Sequence, residues 1–372
     1  MKQEVFDEKK FSDLKTYIES FDKNKIFIVT DASSYNISGA KLFIENRLKL
    51  SGLSVFSNFN PNPQIEDLKK GIALFKAQKF DLIIAIGGGS VLDMAKLISI
   101  MAHQTDTLEA ITKGEATTNN SKTELLAIPT TAGTGAEATA FSVLYIDKIK
   151  YSVASKSILP DKVFLSSEFS MSAPAYLTAS TGLDAFSQAI ESVWSVNSNN
   201  ESQEYGLKAI ELVWGNLKMA VNENNKLAKQ KMQEAAFLAG KAINITKTTA
   251  PHALSYGFTS YYNIPHGHAV SLSLPFFLEY NYAVTNSNCT DSRGANEVKN
   301  RINKILQILN TDILNVKTDL NIFFKSIGIN IKISLLINNF DAKLILNSIS
   351  IERLNNNPRK VTENDIISFF NS

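Results

Sequence analysis

The sequence predicts an α/β N-terminal domain built on a parallel sheet over residues 1–168, followed by an all-helical C-terminal domain over residues 169–372. Three observations predict it. Short apolar runs alternate with helix-like stretches in the first part of the chain. Two loops rich in glycine and hydroxyl side chains each follow one of those apolar runs. Beyond roughly Phe169 the strand-like runs stop and helix-like segments take over.

The expected strands are Lys25 to Thr30, Leu53 to Phe56, Asp81 to Ile86 and Glu124 to Ile128, separated by helices such as Pro63 to Gln78 and Val91 to His103. Strand followed by helix, repeated, is the pattern of a parallel sheet. In the second part, Ala179 to Trp194, Ser202 to Ala220 and Lys229 to Ile245 are expected helices, as are the segments after His268.

The segment Asp81-Leu82-Ile83-Ile84-Ala85-Ile86-Gly87-Gly88-Gly89-Ser90-Val91-Leu92-Asp93-Met94-Ala95-Lys96 runs apolar, then glycine, then amphipathic. Such a strand, turn and helix suits phosphate binding. Glycine lets a ligand approach the backbone, and the N–H groups and positive dipole end of a starting helix attract an anion such as pyrophosphate. The spacing departs from Gly-x-Gly-x-x-Gly, and three glycines after a strand also suit a plain tight turn. A second loop, Ile128-Pro129-Thr130-Thr131-Ala132-Gly133-Thr134-Gly135-Ala136-Glu137, again follows an apolar run. Two such loops favour a nucleotide ligand.

Three of the four histidines fall within residues 252–268. Asp184 and Gln188 lie four apart in a helix-like segment, so their side chains leave one face about one turn apart and suit one ion. His252 and His266 would stand about 21 Å apart on a straight helix at ~1.5 Å per residue. They meet only if the chain turns between them. Asn263 and Pro265 supply that break, because proline lacks the helix donor and biases its predecessor away from α. His266 then begins the next helix. A lone histidine is more often a hydrogen-bonded core or cap residue, but the clustering here makes a metal site the leading expectation.

These residues resemble the iron-containing, or group III, alcohol dehydrogenases. The resemblance runs through Ile28-Val29-Thr30-Asp31, Pro61-Asn62-Pro63, Gly87 to Lys96, Pro129 to Glu137, Thr181 to Glu191, Pro251 to Gly267 and Asn357-Pro358-Arg359. The stretches Gln188 to Ser198, Thr248 to Tyr256 and Pro265 to Val270 look like the phosphonoacetaldehyde reductase branch, which reduces phosphonoacetaldehyde to 2-hydroxyethylphosphonate. The resemblance implies the dehydroquinate synthase-like fold of that family, and a bound dinucleotide.

By the same resemblance, Gly88, Gly89 and Ser90 hold the pyrophosphate, and Thr130, Thr131 and Thr134 line the nucleotide site. Asn62 and Lys150 fall on positions that contact the dinucleotide in relatives. Asp31 matches an acid that binds the adenosine ribose and disfavours a 2′-phosphate, so NADH is expected over NADPH; as a strand-end residue it also suits a helix cap. Asp184, His252 and His266 match metal ligands, with Fe²⁺ or Zn²⁺ the expected ion.

Two positions depart from the family pattern. Gln188 stands where a histidine ligand is usual; its amide oxygen is neutral and harder than imidazole, so either it completes a weaker Fe²⁺ or Zn²⁺ site with altered preference, the expected outcome, or the ion is absent and Gln188 donates a hydrogen bond to substrate. Tyr256 stands where many relatives carry a histidine near the nicotinamide. Tyr256 or His268 is then the expected proton donor. A phosphonate needs cationic or N–H partners, for which Lys247 with Thr248 and Thr249 are the candidates and Asn197 a weaker one. Lys247 as a solvated surface residue is the competing expectation. A general short-chain alcohol dehydrogenase and a carbon–oxygen lyase of the dehydroquinate synthase kind remain alternatives.

Composition narrows the classes. With 372 residues, 44% of them hydrophobic, the chain has enough apolar material for two domains. A net charge of +2, from 38 basic and 36 acidic residues, gives no electrostatic case for nucleic acid. The start, Met1 to Glu8, lacks an apolar signal region, and no apolar run of about 18 residues suggests a membrane span. Cys289 is the only cysteine, so an intrachain disulfide is excluded and a reducing cytoplasm is expected. The expected partner is a small-molecule aldehyde bearing a phosphonate, with homodimerisation left open.

Overall fold

The computed structural model describes residues 3–147 and 149–371. The chain divides into two compact units, one of Met1–Thr131 with Gly135–Ala173, the other of Ala132–Thr134 with Pro174–Ser372. The expected division at 168/169 thus falls five residues before the observed change of unit. The three-residue return at Ala132–Thr134 was not anticipated; there a Cβ on Gly133 would lie 2.7 Å from the Thr181 carbonyl oxygen, so the loop backbone packs directly on the helix Ala175–Trp194.

In the first unit the strands are β1 (Glu4–Asp7), β2 (Ile26–Thr30), β3 (Ser54–Phe56), β4 (Leu82–Gly87), β5 (Glu124–Pro129), β6 (Phe141–Ile146), β7 (Ile149–Ala154) and β8 (Lys162–Leu165). Six of them form one sheet in the order β1-β8-β5-β4-β2-β3, every neighbouring pair parallel. The four strands expected from sequence are present. β4 is buried at every position, as a strand covered on both faces must be, which explains its continuous apolar run.

Two sheet strands, β1 and β8, and the antiparallel hairpin β6–β7 carry no comparable signal in the sequence. β1 is an edge strand of four residues with only Phe6 fully buried, so little apolar pattern marks it. The hairpin is fastened to the helix Gly89–Met101 by polar groups. Lys96, fully buried, donates to Ala136 O (2.8 Å), Thr139 Oγ1 (3.0 Å) and Phe141 O (2.6 Å), while Asp93 accepts from Ser142 Oγ (3.0 Å) and Val143 N (3.2 Å). All three ammonium protons are thereby used.

The second unit is helical, and its named elements among the described residues include no strand. Its longest helices are Ala175–Trp194, Asn200–Asn222 and Lys226–Thr246, the first longer than the sequence suggested at its start and the other two at both ends. Ala175–Trp194 is the central one, buried continuously from Gly182 to Trp194. Leu183, Phe186 and Ile190 join Leu217, Met232, Leu254 and Phe277 in one apolar core. A helix buried all round lies in the middle of its unit, and this one carries Asp184 and Gln188 there. Among the described residues no helix is long and apolar enough to cross a membrane.

Candidate active site

His252 sits in the helix Ala250–Tyr262, which has a proline in its first turn and ends at Asn263 in the left-handed conformation (φ 55°). His266 opens the next helix, His266–Ser271, directly after Pro265. The chain turns where Asn263 and Pro265 were expected to turn it. Gly267 makes the arrangement possible, since a Cβ there would lie 1.9 Å from the Ser180 carbonyl oxygen. The His266 helix therefore starts in backbone contact with the helix bearing Asp184.

Asp184, His252 and His266 offer ligand atoms that all lie within 4.8 Å of one another. His252 Nε2 is 3.3 Å from Asp184 Oδ1, and His266 Nε2 is 3.9 Å from the same oxygen. The side chains of Asp184 and His252 are each 4% exposed and that of His266 35%, so the group opens on the His266 side. Burial alone would raise the Asp184 pKa, but the charges of His266 and His252 outweigh it and hold the carboxyl below its usual value. Burial opposes charge on His252, yet the Glu191 and Asp184 carboxylates hold its imidazolium up to about 10. Two buried carboxylates around two imidazoles form a site built for positive charge.

Gln188 provides the test of whether a metal ion suits this group. Its Nε2 donates to Thr134 O at 3.3 Å, while its Oε1 is buried with no hydrogen-bond partner. A buried acceptor left unsatisfied costs roughly 1–3 kcal/mol. A cation beside Asp184, His252 and His266 would satisfy it, and an amide oxygen, a carboxylate and two imidazoles are a sound donor set for a divalent ion. The residues fit the group.

Glu191 is the functional residue that sequence reasoning missed. It is fully buried, and its Oε2 pairs with His252 Nδ1. Its Oε1 accepts from Thr249 N (2.8 Å), Thr249 Oγ1 (2.9 Å) and His252 N (3.4 Å). One carboxylate thus caps the first turn of the His252 helix, where backbone donors lack partners, and accepts the hydrogen bond of Nδ1–H, which turns Nε2 toward Asp184. Such carboxylates orient metal-binding histidines. The signal was present, for Glu191 lies seven residues after Asp184, two turns along the same helix face.

The expected proton donors separate. The Tyr256 ring lies parallel to that of His266, with centroids 5.9 Å apart. His268 does not join the group. Its Nδ1 meets Tyr176 Oη at 2.9 Å and its Nε2 meets the Asn330 carbonyl at 2.6 Å, so both nitrogens are engaged away from Asp184. Burial also pushes its pKa below the usual histidine value.

The expected anion-binding residues gather just before the His252 helix. Lys247 ends the preceding helix with φ 59° and ψ −179°, a conformation that costs a non-glycine residue about 1–3 kcal/mol. It is half-buried rather than solvated, and burial, then the Arg353 charge, push its ammonium pKa down. Asn197 is exposed and donates to Thr246 O (3.3 Å) and Asn356 Oδ1 (3.0 Å). Thr248 and Thr249 are buried; Asn356 Nδ2 donates to Thr248 O (3.0 Å), and Thr249 Oγ1 accepts from Trp194 Nε1 (2.9 Å).

In the first unit, Gly88 is the N-cap and Gly89 and Ser90 open the helix Gly89–Met101. Gly87 is required sterically, as a Cβ there would lie 2.5 Å from Val91 Cγ2. At Gly88 a Cβ would meet only Thr131, at 3.5 Å, leaving a cradle beside the free N–H groups of the helix start. That cradle fits a phosphate. Thr130 N donates to Gly87 O (3.0 Å), which sets the second glycine-rich loop beside the first. Asn62, at φ 61°, donates its N–H to Ser90 Oγ (3.1 Å). Lys150 lies on β7, its charge acting on Asp93. Asp31 is the N-cap of the helix Ala32–Ile37, its Oδ1 accepting from Ser34 N at 2.7 Å. Thr134 groups with the second unit, where its carbonyl meets Gln188.

Comparison with known proteins adds to this geometry. Residues 2–167 match the family model described as iron-containing alcohol dehydrogenase, and residues 178–372 match that of the Fe-containing alcohol dehydrogenase family, C-terminal. The chain is similar to long-chain-alcohol dehydrogenase 1 of Geobacillus thermodenitrificans, 33% identical over 68% of this chain and 66% of that protein, just under two thirds of its length. It is similar to alcohol dehydrogenase 4 of Saccharomyces cerevisiae, 32% identical over 71% of this chain and 70% of that one. Against aldehyde-alcohol dehydrogenase 2 of Entamoeba histolytica it aligns with 31% of the longer protein. Among solved structures, sulfoacetaldehyde reductase from Bifidobacterium kashiwanohense in complex with NAD+ superposes with a TM-score of 0.87 at 25% identity, covering 99% of this chain and 96% of that one.

Proposed function

The chain belongs to the iron-containing alcohol dehydrogenase family, and from that premise we propose that it is a nicotinamide-dependent aldehyde reductase that converts phosphonoacetaldehyde to 2-hydroxyethylphosphonate. The observation that carries this reading is the placement of Lys247, Thr248 and Thr249 directly ahead of the helix that brings His252 to Asp184 and His266. The name of the sulfoacetaldehyde reductase supports it, because a sulfonate and a phosphonate are both tetrahedral anions two carbons along an aldehyde.

A divalent ion, Fe²⁺ or Zn²⁺, held by Asp184, Gln188, His252 and His266 would supply Lewis acidity toward the carbonyl oxygen. NADH would supply the hydride. The protein's own residues align and protonate. Glu191 fixes the His252 tautomer through Nδ1. Tyr256, stacked on His266, is assigned as donor of the proton to the product oxygen, in preference to His268 with its engaged nitrogens. Gly88, Gly89 and Ser90, with Asn62, Thr130 and Thr131, are assigned to the dinucleotide phosphates and ribose. Asp31 is assigned to the adenosine ribose and hence to NADH over NADPH, with Thr134 and Lys150 completing the cofactor site. The lone Cys289 fits a cytoplasmic setting.

Names among the relatives, such as the 1,3-propanediol dehydrogenase of Klebsiella pneumoniae, favour a second reading, a general short-chain alcohol dehydrogenase. NADH absorbance, followed with metal-analysed protein offered phosphonoacetaldehyde, acetaldehyde and propanal, separates the two. A strong preference for phosphonoacetaldehyde supports the reductase. Comparable rates on all three sink it in favour of the general enzyme, and net NADH consumption itself argues against a lyase that recycles its cofactor.

A further inference from the structure

Trp194 is fully buried in the core of the second unit, and its indole nitrogen can only donate a hydrogen bond. It donates to Thr249 Oγ1 at 2.9 Å. Thr249 is equally buried and continues the connection, its hydroxyl donating to Glu191 Oε1 at 2.9 Å and its backbone N–H to the same oxygen at 2.8 Å. Glu191 meets His252 Nδ1 through its other oxygen. Four residues, none more than 3% exposed, therefore form one continuous hydrogen-bonded chain that ends on a candidate metal ligand. Glu191 and Trp194 lie three apart near the end of Ala175–Trp194 and share a face, and Thr249 bridges them as the N-cap of the helix bearing His252. Trp194 is itself held in place. The buried Arg301 guanidinium donates from Nη1 to the carbonyls on either side of it, Ser195 O at 2.9 Å and Val193 O at 3.4 Å.

We propose that Thr249 and Trp194 are positioning residues for the metal centre and act on His252 through Glu191. This assignment rests on the reading of Asp184, Gln188, His252 and His266 as a metal site, and adds the groups that fix one ligand's geometry. The terminal torsion of a glutamate is broad, so a carboxylate held by a single hydrogen bond can swing. Glu191 is held at both oxygens. Thr249 N, Thr249 Oγ1 and His252 N all donate to Oε1, which leaves Oε2 set toward Nδ1 and the ring turned with Nε2 toward Asp184.

The chain of bonds has a direction. A hydroxyl that accepts from an indole N–H is polarised and donates more strongly to the carboxylate beyond it, so Trp194 strengthens the hold of Thr249 on Glu191. The same accounting bears on the substrate. Both donors of Thr249, its hydroxyl and its backbone N–H, are committed to Glu191, so it has none for an anionic head and leaves Lys247 and Thr248 as the anion-binding candidates.

The test is the affinity of the whole chain for Zn²⁺, and anaerobically for Fe²⁺, measured by competition with a chromophoric chelator and so independent of turnover. The variants are Thr249→Val, Thr249→Ser, Trp194→Phe, Glu191→Ala and the double variant Glu191→Ala with Thr249→Val. Valine keeps the shape of threonine without its hydroxyl and should weaken the ion roughly 5- to 20-fold, while serine restores the hydroxyl and should stay within about twofold of wild type. Trp194→Phe should cost roughly threefold. In the double variant the route to His252 is already gone, so Thr249→Val should weaken the ion no further than Glu191→Ala alone. Additive losses there, an affinity within about twofold of wild type in Thr249→Val, or a loss that serine does not relieve would each overturn the proposal. Should Glu191→Ala fold poorly, the contrast of valine with serine and the effect of Trp194→Phe still decide it. Wild-type protein that binds neither ion sinks the metal-site reading itself, a different result from intact metal binding that ignores Thr249.

Discussion

In the first unit the candidate cofactor groups are backbone N–H groups and short side chains in two loops, Gly87 to Ser90 and Thr130 to Thr131, each at the end of a parallel strand. In the second unit the candidate ligands are side chains from three helices, with Asp184, His252 and His266 collected from well-separated stretches of chain. Backbone recognition depends on conformations that glycine permits and so leaves a mark in local sequence. Side-chain recognition needs only that certain atoms meet, and local sequence records the residues without their partners. The first kind of site tolerates changes in side chains around it. The second is destroyed by one.

The sharpest break between the two comes from Asp184→Ala. It removes the anionic ligand, so metal content after dialysis should fall to background and kcat/KM should drop by at least about 10³-fold, several kcal/mol of lost stabilisation. NADH binding, followed by fluorescence, should survive. Loss of NADH binding alongside the metal would show that the two sites are not independent.

Glu137 shows that the first unit, whose candidate ligand groups are backbone, also holds a buried ionisable side chain away from them. Burial pushes its carboxyl from the usual 4.5 up to about 7, against the pull of Lys96. Between those values the folded state holds the proton more tightly than the unfolded chain, so stability falls as pH rises from 4.5 and the full penalty is present above 7. Glu137→Gln should therefore gain roughly 3 kcal/mol at pH 8 and nothing at pH 4. Urea denaturation at both pH values measures this, and an equal effect at the two would remove ionisation as the cause.

Glu191→Gln sharpens the second unit. The amide cannot hold the His252 Nδ1 proton as a carboxylate does, and metal affinity should weaken roughly 10- to 100-fold, read by competition with a chromophoric chelator. Unchanged affinity would reduce Glu191 to a helix cap. The smallest effect separates two adjacent glycines. Gly88→Ala has room for its methyl beside Thr131, so the melting temperature should hold while NADH binding weakens about tenfold. Gly87→Ala meets Val91 and should instead cost about 1–2 kcal/mol of stability. Equal behaviour of the pair would mean that the Gly88 cradle receives no ligand.

Much of the fold was legible because its causes are local. Continuous apolar runs mark β2, β4 and β5, glycine marks the turns after β4 and β5, and Asn263 with Pro265 marks the break that lets His252 and His266 meet. Asp184 and Gln188 share a face because an α-helix repeats every 3.6 residues. By itself the sequence therefore determined the parallel α/β unit, the helical unit after it and three ligands of the candidate metal site.

Tertiary structure decided the rest. β1 and β8 exist because the sheet supplies partners for backbone groups that four-residue segments could not satisfy alone. His268 stands two residues from His266, which on a helix turns the side chain to another face, and there Tyr176 and Asn330 engage it. Glu191 gains its role from contact with Thr249 and His252, and Thr248, next to Lys247, gains its partner in Asn356, brought near by the fold. Backbone preference is a property of a residue and its immediate neighbours, so it can be read along the chain; the partner that satisfies a buried charge or donor is chosen only when distant segments pack.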